Sequence, residues 1–319
     1  MNDSTFTIRG AVAMDGTGSK STRSDLIVKD GVISKFGTIL KGEEEGKIVD
    51  GSGLTVSPGF IDLHSHSDLA VISDKEHLSK VTQGVTTEVV GQDGLSYVPS
   101  NEETLSILRE QLYGWNGEPA GLSWNFRSVA DYLSIVDKGA PVNVAYLIPH
   151  GSVRMLVRGN VAGLASKVEL SKMSEIVEQG MQQGAVGLSA GLTYTPAMYA
   201  DDAEIIELCR VVAKYSGFYA PHHRNYGAQF LTAVDDCIEI ARASKAALHL
   251  THCHMSAPVN HDRTELLFDR LSKAESEGID VEGLREETKT IQPASDKRAF
   301  DLVDTFLRRV ATSAVEKVD

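Results

Sequence analysis

Pro58-Gly59-Phe60-Ile61-Asp62-Leu63-His64-Ser65-His66 closes a short apolar run with two histidines two positions apart. Side chains alternate faces along a strand, so residues two apart point the same way. If the run is a strand, both imidazoles can reach one or two metal ions at its C-terminal end. A histidine pair of this kind gains weight from its position, after Pro-Gly and at the end of a buried-looking strand, and from the histidines that follow.

From Pro58 onward, short apolar segments alternate with amphipathic ones, the order of a parallel α/β fold. Seven strands are expected, at 60–63, 86–90, 142–148, 186–189, 218–220, 247–250 and 279–281. Helices are expected at 168–181, where Leu170, Met173, Val177 and Met181 share a face, and at 203–215, where Ile205, Leu208, Val212 and Tyr215 do. Asp201 or Asp202 can cap the second. The same spacing recurs at 230–243 and 264–274, so a strand-helix unit returns about every thirty residues, as in a (β/α)8 barrel. A doubly wound sheet is the competing architecture. The barrel is preferred because candidate ligands fall at the C-terminal ends of several strands, where barrels collect their active-site groups.

Residues 1–56 read differently, as a small β module. Its strands are expected at 6–8, 25–28 and 32–36, with Lys29-Asp30-Gly31 as a hairpin turn. The expected organisation is thus this module, a barrel of about seven strands over 57–281, and a divergent helical tail over 282–319.

Other strand ends agree with His64 and His66. The fifth strand runs into His222 and His223, and the sixth into His249, His252 and His254. A single histidine is most simply a hydrogen-bonded surface or core residue. Packing does not call for a cluster of them at strand ends, whereas imidazole is a usual zinc ligand. The second strand ends Val90-Gly91-Gln92-Asp93-Gly94, where Asp93 either offers a carboxylate or simply makes an Asp-Gly turn.

The 319 residues are 42% hydrophobic and 24% charged, enough to bury a large core. The net charge of −13 argues against nucleic acid or an anionic membrane as the main partner. No apolar run approaches the roughly 20 residues of a membrane span, and the N-terminus lacks a signal-peptide pattern, so a cytoplasmic location is expected. The three cysteines show no disulfide or zinc-ribbon spacing, and Cys209 and Cys237 read as core residues.

Several segments carry a family resemblance over about residues 6–281. Ser57-Pro58-Gly59-Phe60-Ile61-Asp62 with His64 and His66 resembles the first-strand motif of the amidohydrolase superfamily, and Gly84-Val85-Thr86-Thr87 its entry into the second strand. Gly187-Leu188-Ser189-Ala190-Gly191-Leu192-Thr193-Tyr194-Thr195-Pro196 is similar to a fourth-strand segment of the N-acyl-D-amino-acid deacylase (D-aminoacylase) group. The early strands match the small β-sandwich that accompanies these barrels.

The resemblance implies a site. His64 and His66 would hold the more exposed metal position, and His222 and His252 the buried one, with one or two zinc ions bound. Asp93 stands where D-aminoacylases carry a cysteine ligand, and a carboxylate also ligates or bridges zinc. Hydantoinases and dihydroorotases instead use a modified lysine on the fourth strand, and 186–189 contains none. Tyr194 resembles a substrate-contacting tyrosine, though it can also simply pack. His254 stands where relatives carry a lysine near the substrate. His150 is expected to line the pocket or to be structural, and His223 to face away from the ligand side. The implied reaction is zinc-assisted hydrolysis of an N-acyl amino acid or a similar small amide.

The family's general base is an aspartate after the eighth strand, and it is not found here. After Val281 the chain reads Glu282-Gly283-Leu284-Arg285-Glu286-Glu287, then one amphipathic helix with Phe300, Val303, Leu307 and Val310 near one face. Asp280, Asp296, Asp301 and Asp304 read as solvated charge. Two expectations follow: a working deacylase, or a shortened relative that binds metal without the base. An open barrel would expose strand edges, which predicts poor solubility or rescue by homo-oligomerisation.

Overall fold

In a computed structural model, residues 5–282 are described, and they fall into two compact units, 5–59 and 60–282. The expected C-terminal helix and Asp296, Asp301 and Asp304 lie outside the described residues.

The first unit is a mixed sheet of β1 (Phe6–Ala13), β2 (Thr22–Lys29), β3 (Val32–Gly37), β4 (Lys47–Asp50) and β5 (Thr55–Val56). The order is β3-β2-β1-β4, with β5 also pairing β1. Asp30 and Gly31 both take positive φ, 51° and 81°, the backbone that a tight two-residue hairpin requires. The expected hairpin is therefore present. Val32, Ile33 and Phe36 of β3 remain exposed.

The second unit holds β6 (Phe60–Asp62), β7 (Val85–Val90), β8 (Asn143–Pro149), β9 (Gly187–Gly191), β10 (Phe218–His222), β11 (Ala247–His249) and β12 (Val281–Glu282). They pair in chain order as one seven-stranded sheet, every pairing parallel. This is an incomplete TIM-like barrel whose outer strands, among the described residues, are β6 and β12. The strands lie within two residues of the limits read from the sequence.

Helices cover one face of this sheet. They are α1 (Ala70–Ser73), α2 (Leu78–Val81), α3 (Glu102–Asn116), α4 (Val129–Val136), α5 (His150–Arg158), α6 (Lys167–Gln182), α7 (Asp202–Lys214), α8 (Phe230–Ser244) and α9 (Thr264–Ser276). Asp201 is the residue that caps α7, its side chain accepting from the Glu204 N–H. Ser166 and Glu169 form a capping box at α6.

The strands are apolar on both faces because both are covered. In β8, Tyr146 and Ile148 join the core under the helices, while Ala145 and Leu147 point to the other face. There they meet Val89, Phe218, Ala220 and Ala247 in a smaller cluster that fills the curve of the sheet. In β10 that inner parity continues from Phe218 and Ala220 to His222. The fold thus aims His222 inward at a strand end. Cys209 of α7 and Cys237 of α8 are buried in the core, and burial pushes both thiols well above their ordinary range.

A buried charge network ties α5 to α7. Glu204 accepts from Arg154 and lies 2.8 Å from His150 Nε2, and all three side chains are almost completely enclosed. Burial works to raise the Glu204 carboxyl, but His150 and Arg154 outweigh it and lower it below the ordinary 4.5. A carboxylate lowered in this way contributes stability that is fully present above its unfolded pKa and lost as pH falls through the folded one. Denaturant titrations should therefore show stability falling below about pH 4.5, with a shallower fall in Glu204→Gln. Identical slopes would show that the pair is not a source of acid sensitivity.

Candidate metal centre

Asp93 stands in a turn that few sequences could form. Gly91, Asp93 and Gly94 all have positive φ (80°, 54° and 71°), and aspartate is among the few side chains that tolerate this region. Ser189 of β9 clips the turn, its Oγ accepting from Gly94 N at 3.0 Å and donating to Gly91 O at 2.5 Å. Behind it, buried Asp68 accepts from Gly91 N at 3.0 Å and from Ser96 Oγ at 2.5 Å. The backbones of β9 and the turn nearly touch: a Cβ on Gly191 would lie 2.0 Å from Asp93 O, and one on Gly94 2.3 Å from Gly191 N. The Asp-Gly turn read from the sequence is real, and it also aims a carboxylate.

Four imidazoles surround that carboxylate. His252 Nε2 lies 3.1 Å from Asp93 Oδ1 and His64 Nε2 3.7 Å from it. His66 Nε2 lies 3.4 Å from Oδ2 and His222 Nδ1 3.5 Å from it. Each oxygen thus faces one histidine from the first-strand pair and one from the later strand ends. His64, Asp93 and His252 each place a donor atom within 4.8 Å of the others. Rings meet edge-on, His64 against His252 and His222 against His252, both at 4.8 Å.

The elements that deliver them differ from the sequence argument in one respect. β6 ends at Asp62, so His64 and His66 occupy the following loop rather than the strand. They reach the same place because Ser65 between them is tied the other way. Its N–H donates to Val89 O at 3.1 Å, and its Oγ donates to buried Glu88 at 2.6 Å. Glu88 is itself held by His77 at 2.5 Å and Lys80 at 3.1 Å. His252 lies beyond β11, at a positive φ of 28°.

Electrostatics follow the geometry. Burial works to raise Asp93, but hydrogen bonds from His222, His252 and His66 overwhelm it and hold the carboxyl far below its usual range. Burial lowers His64 to about 4 despite Asp93, with His252 and His66 adding to the fall. Burial also opposes the charged form of His66, yet its hydrogen bond to Asp93 raises it above 6.5. The cluster therefore offers an anionic carboxylate and, in His64, an imidazole that burial holds neutral. His64 Nδ1 is buried without a hydrogen-bond partner, leaving Nε2 as its inward donor.

The remaining expected residues separate. Tyr194 reaches the cluster, its hydroxyl 3.3 Å from His222 Nδ1 and its ring 4.6 Å from that imidazole. His254 stands at the rim, exposed, with Nδ1 3.1 Å from His252 O. His150, expected at the pocket wall or in a structural role, is fully buried with its Nε2 2.8 Å from Glu204. His223 is buried too, its ring 4.0 Å from Tyr226 and 5.2 Å from Phe230, and burial lowers it to about 3. Three neighbours escaped the sequence reading. Thr193 Oγ1 lies 2.8 Å from His222 Nε2, Tyr226 OH 3.0 Å from His252 Nδ1, and the half-exposed Trp115 indole 4.5 Å from His66. Thr193 lies inside a quoted motif, whereas Trp115 and Tyr226 carry no spacing signal.

The parallel barrel sheet gathers histidines and a carboxylate at its strand ends, and the family model for the amidohydrolase family matches residues 47–310. The chain belongs to that family. It is 32% identical to the D-aminoacylase of Alcaligenes xylosoxydans xylosoxydans over 81% of this chain and 52% of that protein. With the N-acyl-D-aspartate deacylase of the same organism it shares 31% identity over 84% of this chain and 53% of the relative. The structure of the N-acyl-D-glutamate deacylase from Bordetella bronchiseptica, complexed with zinc and a phosphonate mimic of the tetrahedral intermediate, superposes with a TM-score of 0.77. That match has 31% identity and covers 86% of this chain and 57% of that one. The chain spans about half the length of the curated relatives it matches.

The close approach of β9 to the Asp93 turn is testable by one methyl group. Gly191→Ala should cost about 1–3 kcal/mol through overpacking against Asp93 O. Gly114→Ala, in α3 with open space around it, should gain about 0.5–1 kcal/mol. Chemical denaturation of both variants checks the pair; equal effects would show that the turn yields freely.

Proposed function

We propose that this chain is a metal-dependent hydrolase of linear amides, most like an N-acyl-D-amino-acid deacylase, using one or two zinc ions. The observation that carries the reading is the set of four imidazoles around the Asp93 carboxylate. The donors are imidazole nitrogen and carboxylate oxygen, which suit zinc. An Asp93 that faces histidines from both pairs suits a carboxylate lying between two metal positions. Three relatives support the substrate class by name: a D-aminoacylase and the deacylases of N-acyl-D-aspartate and N-acyl-D-glutamate.

When bound, zinc would polarise an acyl carbonyl and a water as a Lewis acid. The chain's own residues do the rest. His64, His66, His222, His252 and Asp93 would hold the one or two ions. Tyr194, half-buried beside His222, can donate its hydroxyl to the scissile carbonyl or to a substrate carboxylate. Trp115 presents an indole face that excludes water beside His66. His254, at the rim, can meet the substrate's polar end.

A second reading is metal binding with little turnover. It is favoured because Asp93, among the described residues, is the one carboxylate within ion-pair distance of the four histidines. A base distinct from the ligands is still required to move the water's proton.

One experiment separates these readings. Zinc content is measured alongside release of free amino acid from N-acetyl-D-amino acids, for the wild type and for Asp93→Ala. The deacylase reading expects zinc and turnover in the wild type and a large loss of both in the variant. Zinc without turnover selects the second reading, and absence of zinc binding rejects both.

A further inference from the structure

Tyr226 occupies a position that the deacylase chemistry does not use directly. Its hydroxyl lies 3.0 Å from Nδ1 of His252, the ring nitrogen opposite the one that faces Asp93 at 3.1 Å. Its ring is flanked by histidines, with His254 stacked at 4.7 Å and 11°, His223 at 4.0 Å and His222 edge-on at 4.8 Å. The loop is tied to the His252 loop by Ser256, whose N–H and Oγ both donate to Tyr226 O at 2.9 Å.

We infer that Tyr226 is a positioning residue for the metal centre, fixing the ring of His252 so that Nε2 is presented to the ion. This rests on the metal reading of the site. The argument is one of chemistry and of need. His252 lies in a loop beyond β11, at a positive φ, so the strand does not hold its ring. A phenol can donate to a bare Nδ1 and accept from Nδ1–H, so the same bond survives whichever ring nitrogen carries the proton. A ligand histidine held through its other nitrogen by an outer partner binds metal more tightly. Packing alone would be served equally by phenylalanine.

The test is the apparent dissociation constant for Zn2+ in competition with a chelator, together with the Co2+ absorption spectrum and the melting temperature of the metal-free protein. Tyr226→Phe keeps the ring and removes the hydroxyl. It should weaken Zn2+ binding about 10- to 100-fold and shift the Co2+ bands, with the metal-free melting temperature unchanged. Wild-type affinity in Tyr226→Phe would overturn the inference while leaving the metal centre intact. A weakening matched by an equal loss of metal-free stability would also overturn it, since the tyrosine would then be a packing residue. A wild-type chain that binds neither Zn2+ nor Co2+ would remove the metal reading itself, and this inference with it.

Discussion

The Asp93 carboxylate is the point on which the site depends, because a charge buried at the strand ends must be compensated where it stands. Its compensation comes from four histidines that no local segment could bring together. Two follow β6, one ends β10 and one lies beyond β11, so the parallel order of the sheet is what makes them neighbours. Moving the carboxylate by an ångström would leave several imidazoles facing one another with no anion between them. The turn that holds Asp93 is correspondingly rigid, with glycine on either side of the clip and Ser189 bonding both ends.

Around this centre lies a second ring of polar groups, buried at Glu88 and Asp68 and more open at Thr193 and Tyr226, each holding one piece of backbone or one ring. Glu88 restrains Ser65 between the first two histidines, Asp68 restrains Gly91, Thr193 bonds His222, and Tyr226 bonds His252. Such supports keep a site within a productive geometry when its ligands come from loops. They also explain why the interior carries so many polar residues at strand ends while the inner cluster below, Val89, Leu147, Phe218 and Ala220 among them, is purely apolar. The barrel's lower layer sets the curvature, and its upper layer presents the chemistry.

Much of this was readable from the chain. The seven strands announced themselves as short apolar runs, and α6 to α9 by a clean stripe at helical spacing. Helix α3 did not, because Tyr113 and Trp115 are exposed apolar residues beside the buried Leu105, Leu108 and Leu112, and they blur the stripe. Helix α5 starts at His150 with no intervening turn after β8, and Gly151-Ser152 reads as a loop. The histidines that gather around Asp93 were legible because position near a strand end is a local property. The place of His150 was not, since its partner Glu204 is 54 residues away and only the packed structure brings them together. Tyr226 and Trp115 were hidden for the same reason: their contacts are made by loop and helix-end geometry, which has no period.

The central claim is that Asp93 and the strand-end histidines form one metal centre. The most direct measurement is an anomalous difference map at the zinc edge from crystals of the zinc-loaded chain. The account predicts a peak about 2.0–2.2 Å from Asp93 and at least one of His64, His66, His222 and His252, with nitrogen and oxygen ligands alone. A zinc peak elsewhere, or sulfur from Cys253 among the ligands in place of Asp93, would contradict it.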